Sequence, residues 1–103
     1  MTFKNFILLI FFIFFSACSS APIAYITNQG SNTVSIVDIK KKKVKQEISV
    51  GKGPVGIAIA LKQSYAFISN TNDSSVTVLD LKRNEIIKTI KVNGTPVGIT
   101  KST

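Results

Sequence analysis

From residue 23 onward, apolar residues alternate with polar ones or run in short β-branched stretches. Clusters of Asn, Gly, Pro, Asp and Lys separate these stretches at intervals of a few residues. Alternation is typical of strands with one buried face, and the clusters are typical of tight turns. Since no segment here has the spacing of an amphipathic helix, the pattern predicts an all-β structure of short antiparallel strands.

The pattern predicts seven strands and the beginning of an eighth. Their bounds are 23–27, 33–38, 44–50, 55–61, 64–69, 75–80, 85–92 and 97–101.

The chain also repeats itself with a period of 42 residues. The block AYITN at 24–28 recurs as AFISN at 66–70, VSIVD recurs as VTVLD ending at Asp80, and PVGI recurs from Pro96. Three blocks that keep one offset without an insertion indicate a true internal repeat. We therefore expect residues 42 apart to superpose, with Asp38 equivalent to Asp80 and Pro54 equivalent to Pro96.

Four short antiparallel strands in a unit of about 40 residues are typical of a β-propeller blade. The segments YITN at 25–28, GSNTVS at 30–35 and GPVGI at 53–57 resemble the YVTN β-propeller repeat, and the second copy keeps FISN and TPVGI. This resemblance implies two four-stranded antiparallel blades that form an incomplete propeller, and we expect an N-terminal signal helix to precede them. It also implies that the motif residues are structural, with Gly and Pro in turns and Asn and Asp capping them.

In a complete propeller each blade packs against two neighbours, so two blades leave two apolar faces open. A truncated gene, a fragment of a longer protein and the association of several copies each explain this. Truncation is favoured because the sequence specifies no angle for ring closure. The isolated chain is expected to be oligomeric or poorly soluble.

The N-terminus has the pattern of a signal peptide. Lys4 precedes an unbroken apolar run at 6–15, which is shorter than the roughly 20 residues that a membrane-spanning helix needs. The segment FSAC ending at Cys18 resembles a bacterial lipobox, which implies that Cys18 is diacylated and becomes the mature N-terminus. Cleavage near Ala17 or Ala21 without lipid is the alternative.

These features predict a signal peptide at 1–17, a lipid-anchored tether at 18–23 and a two-blade fragment at 24–103. The predicted location is the cell envelope, as an exported, membrane-anchored lipoprotein of the outer membrane or periplasm. The membrane, reached through the N-terminal lipid, is thus one predicted partner.

Lys and Arg number 13 against 5 acidic residues, which favours anionic partners. Successive hairpin turns of an antiparallel meander alternate between its two ends, so the basic turn residues are expected to gather at one end, facing the membrane. This predicted basic patch comprises Lys40, Lys41, Lys42, Lys43, Lys62, Lys82 and Arg83.

With no His and one Cys, the chain holds no intrachain disulfide, Cys/His zinc site or His-based triad. The five acids are expected to serve turns and strand ends. We therefore predict no catalytic residue, metal site or cofactor, and no enzyme activity.

The predicted function is a binding or scaffold surface for an unidentified protein or envelope partner, with self-association through the open blade faces. One alternative is a nucleic-acid-binding propeller of the periplasm, although no aromatic stacking platform accompanies the lysines. The other is a fragment of a lactonase-like or quinoprotein-like propeller enzyme.

Overall fold

The computed structural model describes residues 22–102. The predicted signal peptide and Cys18 lie outside these residues. Within them, the chain forms seven β-strands and one short 3-10 turn at Thr71–Asp73, and no helix is long and apolar enough to cross a membrane. The strands are β1 Ile23–Asn28, β2 Thr33–Asp38, β3 Lys43–Ser49, β4 Pro54–Ala60, β5 Tyr65–Asn70, β6 Ser75–Asp80 and β7 Glu85–Lys91.

The strands form two antiparallel sheets, a first sheet in the order β1-β2-β3 and a second sheet in the order β4-β5-β6-β7. The all-β prediction and its seven strands are confirmed, and no strand end moves by more than one residue. The first sheet nevertheless has three strands rather than the predicted four. The predicted strand at 97–101 does not join a sheet, because no strand among the described residues pairs with it.

Equivalent hydrogen bonds support the 42-residue repeat. The Asn28 amide donates to two hydroxyls of β2 at 3.1 and 2.8 Å, and the Asn70 amide donates to two hydroxyls of β6 at 3.1 and 2.9 Å. The outermost strand pair of each sheet also contains a bulge at the same repeat position, after Ile36 and after Val78. The two sheets therefore share local geometry as well as strand order.

The core lies between the two sheets. Strand alternation and the pairing register place its side chains on the face of each sheet that meets the other. They are Val34, Ile36 and Ile48 from the first sheet, and Ala66, Ile68 and Leu79 from the second. Full burial of one such larger aliphatic side chain stabilises by about 1.5–3 kcal/mol, so this interface holds the sheets together.

Candidate functional site

Three turns lie at one end of the sheets, which we call the basic end. They connect β2 to β3, β4 to β5 and β6 to β7. The Leu81 amide donates to the Ser64 carbonyl at 2.8 Å, which joins the second and third of these turns. The Gln46 side chain donates to the Asn84 carbonyl at 3.4 Å and so ties the first sheet to the third turn.

The structure places the predicted basic patch at this end. Lys40, Lys41 and Lys42 lie in the first turn, whereas Lys43 is the first residue of β3. Lys62 lies in the second turn, and Lys82 and Arg83 lie in the third. All seven side chains are exposed, and none forms an ion pair with another residue of 22–102. The cationic groups are therefore available to solvent or to an anionic surface.

The nearby carboxylates hold the turns in shape. The Lys41 amide donates to Asp38 Oδ1 at 3.0 Å, and the Lys82 and Arg83 amides donate to Asp80 Oδ1 at 2.8 and 3.2 Å. These bonds place both aspartates in turn-stabilising roles, as expected from the sequence. Together with the exposed Glu85, they are too few to neutralise the seven cations, so the basic end keeps a positive balance.

Pro22, the residue before β1, lies at this same end. The Ile39 amide, in the first basic turn, donates to the Pro22 carbonyl at 3.2 Å. Strand β1 begins at the next residue, inside the region predicted as tether. Cys18 precedes Pro22 by four residues, which extended chain spans in about 14 Å.

The opposite end, which we call the polar end, contains an ion pair that the sequence analysis missed. Asp73 accepts the Lys52 amide at 3.1 Å and faces Lys91 Nζ at 3.3 Å. The backbone hydrogen bond and then the lysine hold the pKa of Asp73 below its ordinary value. The repeat gave no signal for this pair, because Ser31 and Ser49 occupy the equivalent positions.

A second feature that sequence reasoning missed is a pair of hydroxyls that seat the following strand. Thr27 Oγ1 donates to the Val55 carbonyl at 2.9 Å, and this bond fixes β4 on the first sheet. At the equivalent position, Ser69 Oγ donates to the Val97 carbonyl at 2.7 Å. Residues 96–101, which we call the end segment, therefore start on the second sheet as β4 starts on the first. The sequence did hold a signal for this contact, because a hydroxyl residue, Thr27 or Ser69, directly precedes the Asn at the end of the equivalent strand in both repeats.

The remaining chemistry of residues 22–102 is limited. They contain no group of three or more His, Cys, Asp or Glu side chains that could hold a metal ion. Tyr25 packs against the core, and burial raises its pKa. Tyr65 is different, because it starts β5 beside the second basic turn, is 38% exposed and meets Phe67 edge to face at 6.4 Å.

The stacked antiparallel sheets define the class of the protein as a β-propeller fold, and solved structures bear this out. A chain of hydrazine synthase from Kuenenia stuttgartiensis matches with a TM-score of 0.73 and 34% identity, over 78% of this chain and 23% of that one. Apo AztD from Citrobacter koseri matches with a TM-score of 0.65 and 22% identity, over 76% and 22%.

Among curated proteins, a PE-PGRS family protein of Mycobacterium tuberculosis is 50% identical over 36 residues, which is 35% of this chain and 8% of that protein. No family model matches the chain. The chain thus spans less than a quarter of each of these proteins.

Proposed function

We propose that this protein is an exported, lipid-anchored module of YVTN-type propeller repeats that presents a binding or scaffold surface at the cell envelope. The proposal combines the β-propeller fold with the lipobox-like segment at Cys18 and the basic end. The matched proteins share the fold over part of their length, and we propose no reaction for this chain.

The observation that carries the proposal is the hydrogen bond between Ile39 and Pro22. It holds the start of β1 at the basic end, so a lipid on Cys18 and the basic patch would meet the same membrane surface. The two acyl chains of a diacylated cysteine already give stable attachment, so the basic patch would orient the sheets against an anionic membrane surface. A lysine near an anionic leaflet contributes about 1 kcal/mol. The polar end then faces away from the membrane and is free to contact a partner.

Flotation with vesicles tests the membrane contact. The full chain carrying Cys18→Ser cannot be acylated but keeps the apolar run at 6–15, so it should bind vesicles of anionic phospholipid more tightly than vesicles of neutral phospholipid. Changing Lys40, Lys41 and Lys42 together to Gln should weaken binding about 10- to 100-fold, since three lysines leave the surface. High salt should weaken binding in the same direction.

A matched control changes Lys45, Lys52 and Lys91 to Gln, which removes the same charge from outside the basic end. Equal loss in both triple variants would mean that net charge, and not the basic end, attracts the vesicle. Mass spectrometry of the mature protein tests the anchor separately. An unmodified N-terminus at a residue other than Cys18 contradicts lipidation.

Single-stranded nucleic acid is a second candidate ligand, because Tyr65 is 38% exposed and begins β5 directly after the turn that contains Lys62. One stacked base on an aromatic ring contributes about 1–3 kcal/mol. A gel shift that weakens with Tyr65→Ala and falls steeply with salt would favour this ligand over the membrane. A gel shift of the same strength with Tyr65→Ala would mean that only charge attracts the nucleic acid.

A further inference from the structure

The interface between the two sheets is a template for a second interface. The first sheet contributes the side chains of Tyr25, Val34, Ile36 and Ile48 to it. The equivalent residues of the second sheet lie on its outer face, which no sheet of residues 22–102 covers. This donor face consists of Phe67, Val76, Val78 and Ile90.

The other half of the template is also repeated. The second sheet contributes Ala66, Ile68 and Leu79 to the buried interface. Their equivalents lie on the outer face of the first sheet, and this acceptor face consists of Ala24, Ile26 and Val37. Ile26 on the acceptor face is 48% exposed while Ile68 is fully buried, and Ile90 on the donor face is 44% exposed while Ile48 is 8% exposed. Val78 is the exception, since it is only 3% exposed without a neighbouring sheet among residues 22–102. One copy of the chain therefore carries both halves of its own interface.

Strand pairing gives the same docking geometry independently. Strand β5 pairs with β4 on one side and β6 on the other, whereas β1 pairs only with β2 among the described residues. The end segment repeats the β4 sequence from Pro96, and Ser69 holds its Val97 carbonyl on the donor face. The end segment is therefore positioned like β4, but it has no strand to pair with among the described residues, whereas β4 pairs with β5.

We infer that the chain associates head to tail with a second copy of itself by strand addition. The donor face of one copy packs on the acceptor face of the next, and the end segment of the first copy becomes the fourth strand of the second copy's first sheet. One docking position allows both the packing of the two faces and the pairing of the end segment with β1. Strand β4 already shows this, because it sits on the first sheet through Thr27 and pairs with β5 of the second sheet. An added edge strand contributes main-chain hydrogen bonds, and the alternating side chains fix its register.

The register follows from the second sheet. There Ile57 lies opposite Ile68, so Ile99 of one copy should lie opposite Ile26 of the next. Directly opposed residues of an antiparallel pair are close enough for a disulfide, whereas neighbouring positions point to the other face.

The linker before the end segment differs between the two repeats. Gly51 lies close to Asn70, since a Cβ at Gly51 would be 2.6 Å from the Asn70 Cγ. In the docked pair the equivalent approach is between Asn93 of one copy and Asn28 of the next. The left-handed glycine also moves from Gly53 to Gly94, one repeat position earlier. Asn93 thus costs the docked pair some packing at the polar end, and Asn93→Gly should lower the concentration for association about tenfold.

Cross-linking between two batches of the full chain in mild detergent tests the register. Both batches carry Cys18→Ser and different affinity tags, and one has Ile26→Cys while the other has Ile99→Cys. Oxidation should give a disulfide-linked pair containing both tags, in roughly tenfold excess over a control in which Thr100→Cys replaces Ile99→Cys. Equal yields from Ile99→Cys and Thr100→Cys overturn the proposed pairing.

Light scattering of the same full-length protein tests the association itself. The unmodified sequence should be larger than a monomer, and Ile26→Lys should reduce it to a monomer, because a lysine is placed on the acceptor face at an exposed position that the folded monomer tolerates. Ile87→Lys is the matched control, because Ile87 is 45% exposed and the first repeat already has Lys45 at this position. That variant should stay assembled.

A monomer of the unmodified chain at about 100 µM, or an Ile26→Lys variant that stays assembled, overturns the proposal, since 100 µM corresponds to only about −5.5 kcal/mol. A monomer in which Ile26→Cys resists a maleimide would place another part of the same chain on the acceptor face, and this also overturns it. The lipid and vesicle experiments test the proposed function separately, so failure of the self-association leaves their outcome unchanged.

Discussion

The two sheets carry equivalent residues yet bury opposite faces. Ile48 of the first sheet is 8% exposed, whereas its equivalent in the second sheet, Ile90, is 44% exposed. The relation is reversed for Ile26 and Ile68, which are 48% and 0% exposed. Since sequence and strand position match in these two pairs, their burial depends on whether a neighbouring sheet is present, whereas Ile36 and Val78 are buried in both sheets, at 1% and 3% exposure. The repeat sequence therefore specifies the fold of each sheet, whereas packing against a neighbouring sheet decides which side chains at these positions form a core.

Removing the same side chain from both sheets should give the largest effect. Ile68→Ala leaves a cavity in the buried interface and should destabilise the fold by about 2–5 kcal/mol. Ile26→Ala should cost under about 1 kcal/mol at low protein concentration, because the side chain is already half in water. Urea unfolding of both variants measures the difference. Equal losses would mean that the acceptor face is covered even in the monomer.

A methyl group added at two equivalent glycines gives the next effect. A Cβ at Gly56 would lie 2.5 Å from the Val97 carbonyl, whereas a Cβ at Gly98 meets nothing within 4 Å. Gly56→Ala should therefore cost about 1–3 kcal/mol and displace the end segment. Gly98→Ala should stay within about 0.5 kcal/mol.

The NMR chemical shifts of the Val97 and Ile99 methyl groups read the displacement directly, because the Val97 carbonyl and the Ile99 side chain are the parts of the end segment that a Cβ at Gly56 would meet. Gly56→Ala should change both shifts. An unaltered end segment would contradict its placement against Gly56.

The polar end separates the two repeats by the smallest effect. The folded pKa of Asp73 is lowered, so its contribution to stability is present above the unfolded pKa of about 3.9 and is lost as pH falls through the folded value. The contribution is small, because Lys91 is 79% exposed. Thermal unfolding between about pH 6 and pH 2 should show a smaller acid loss for Asp73→Asn. If the melting temperatures of the two proteins fell in parallel with pH, Asp73 would make no contribution to the acid loss of stability.

Much of the fold was predictable because alternation and turn residues act locally. Strands β2 and β6 have the predicted bounds, and Asp38 and Asp80 cap turns as their positions indicated. The predicted strand at 97–101 was wrong for this structure because a strand needs a partner on at least one side, which local pattern does not report. Its sequence matches that of β4, and its surroundings do not.

The candidate site was predictable in part for the same reason. Turn order alone placed the basic residues at one end, since antiparallel connectivity leaves no other arrangement. It could not place the Asp73–Lys91 pair or the Ser69–Val97 bond, which join residues 18 and 28 positions apart. Those contacts depend on sheet twist and packing, and the residues of the ion pair also depart from the repeat.

The bulges in the outermost strand pairs restrict where either sheet can grow. Strands β3 and β7 both carry exposed charges, among them Lys45, Glu47 and Lys88, next to a bulge. Charges and bulges at an edge discourage pairing with a further strand. The β1 edge has neither, since IAYITN contains no charged residue. Lateral hydrogen bonding is thus available at one edge of each sheet, at β1 in the first and at β4 in the second, whose sequence PVGIAIA also lacks charge. A sheet open at one edge disfavours the continuous two-sided pairing that amyloid-like fibres require.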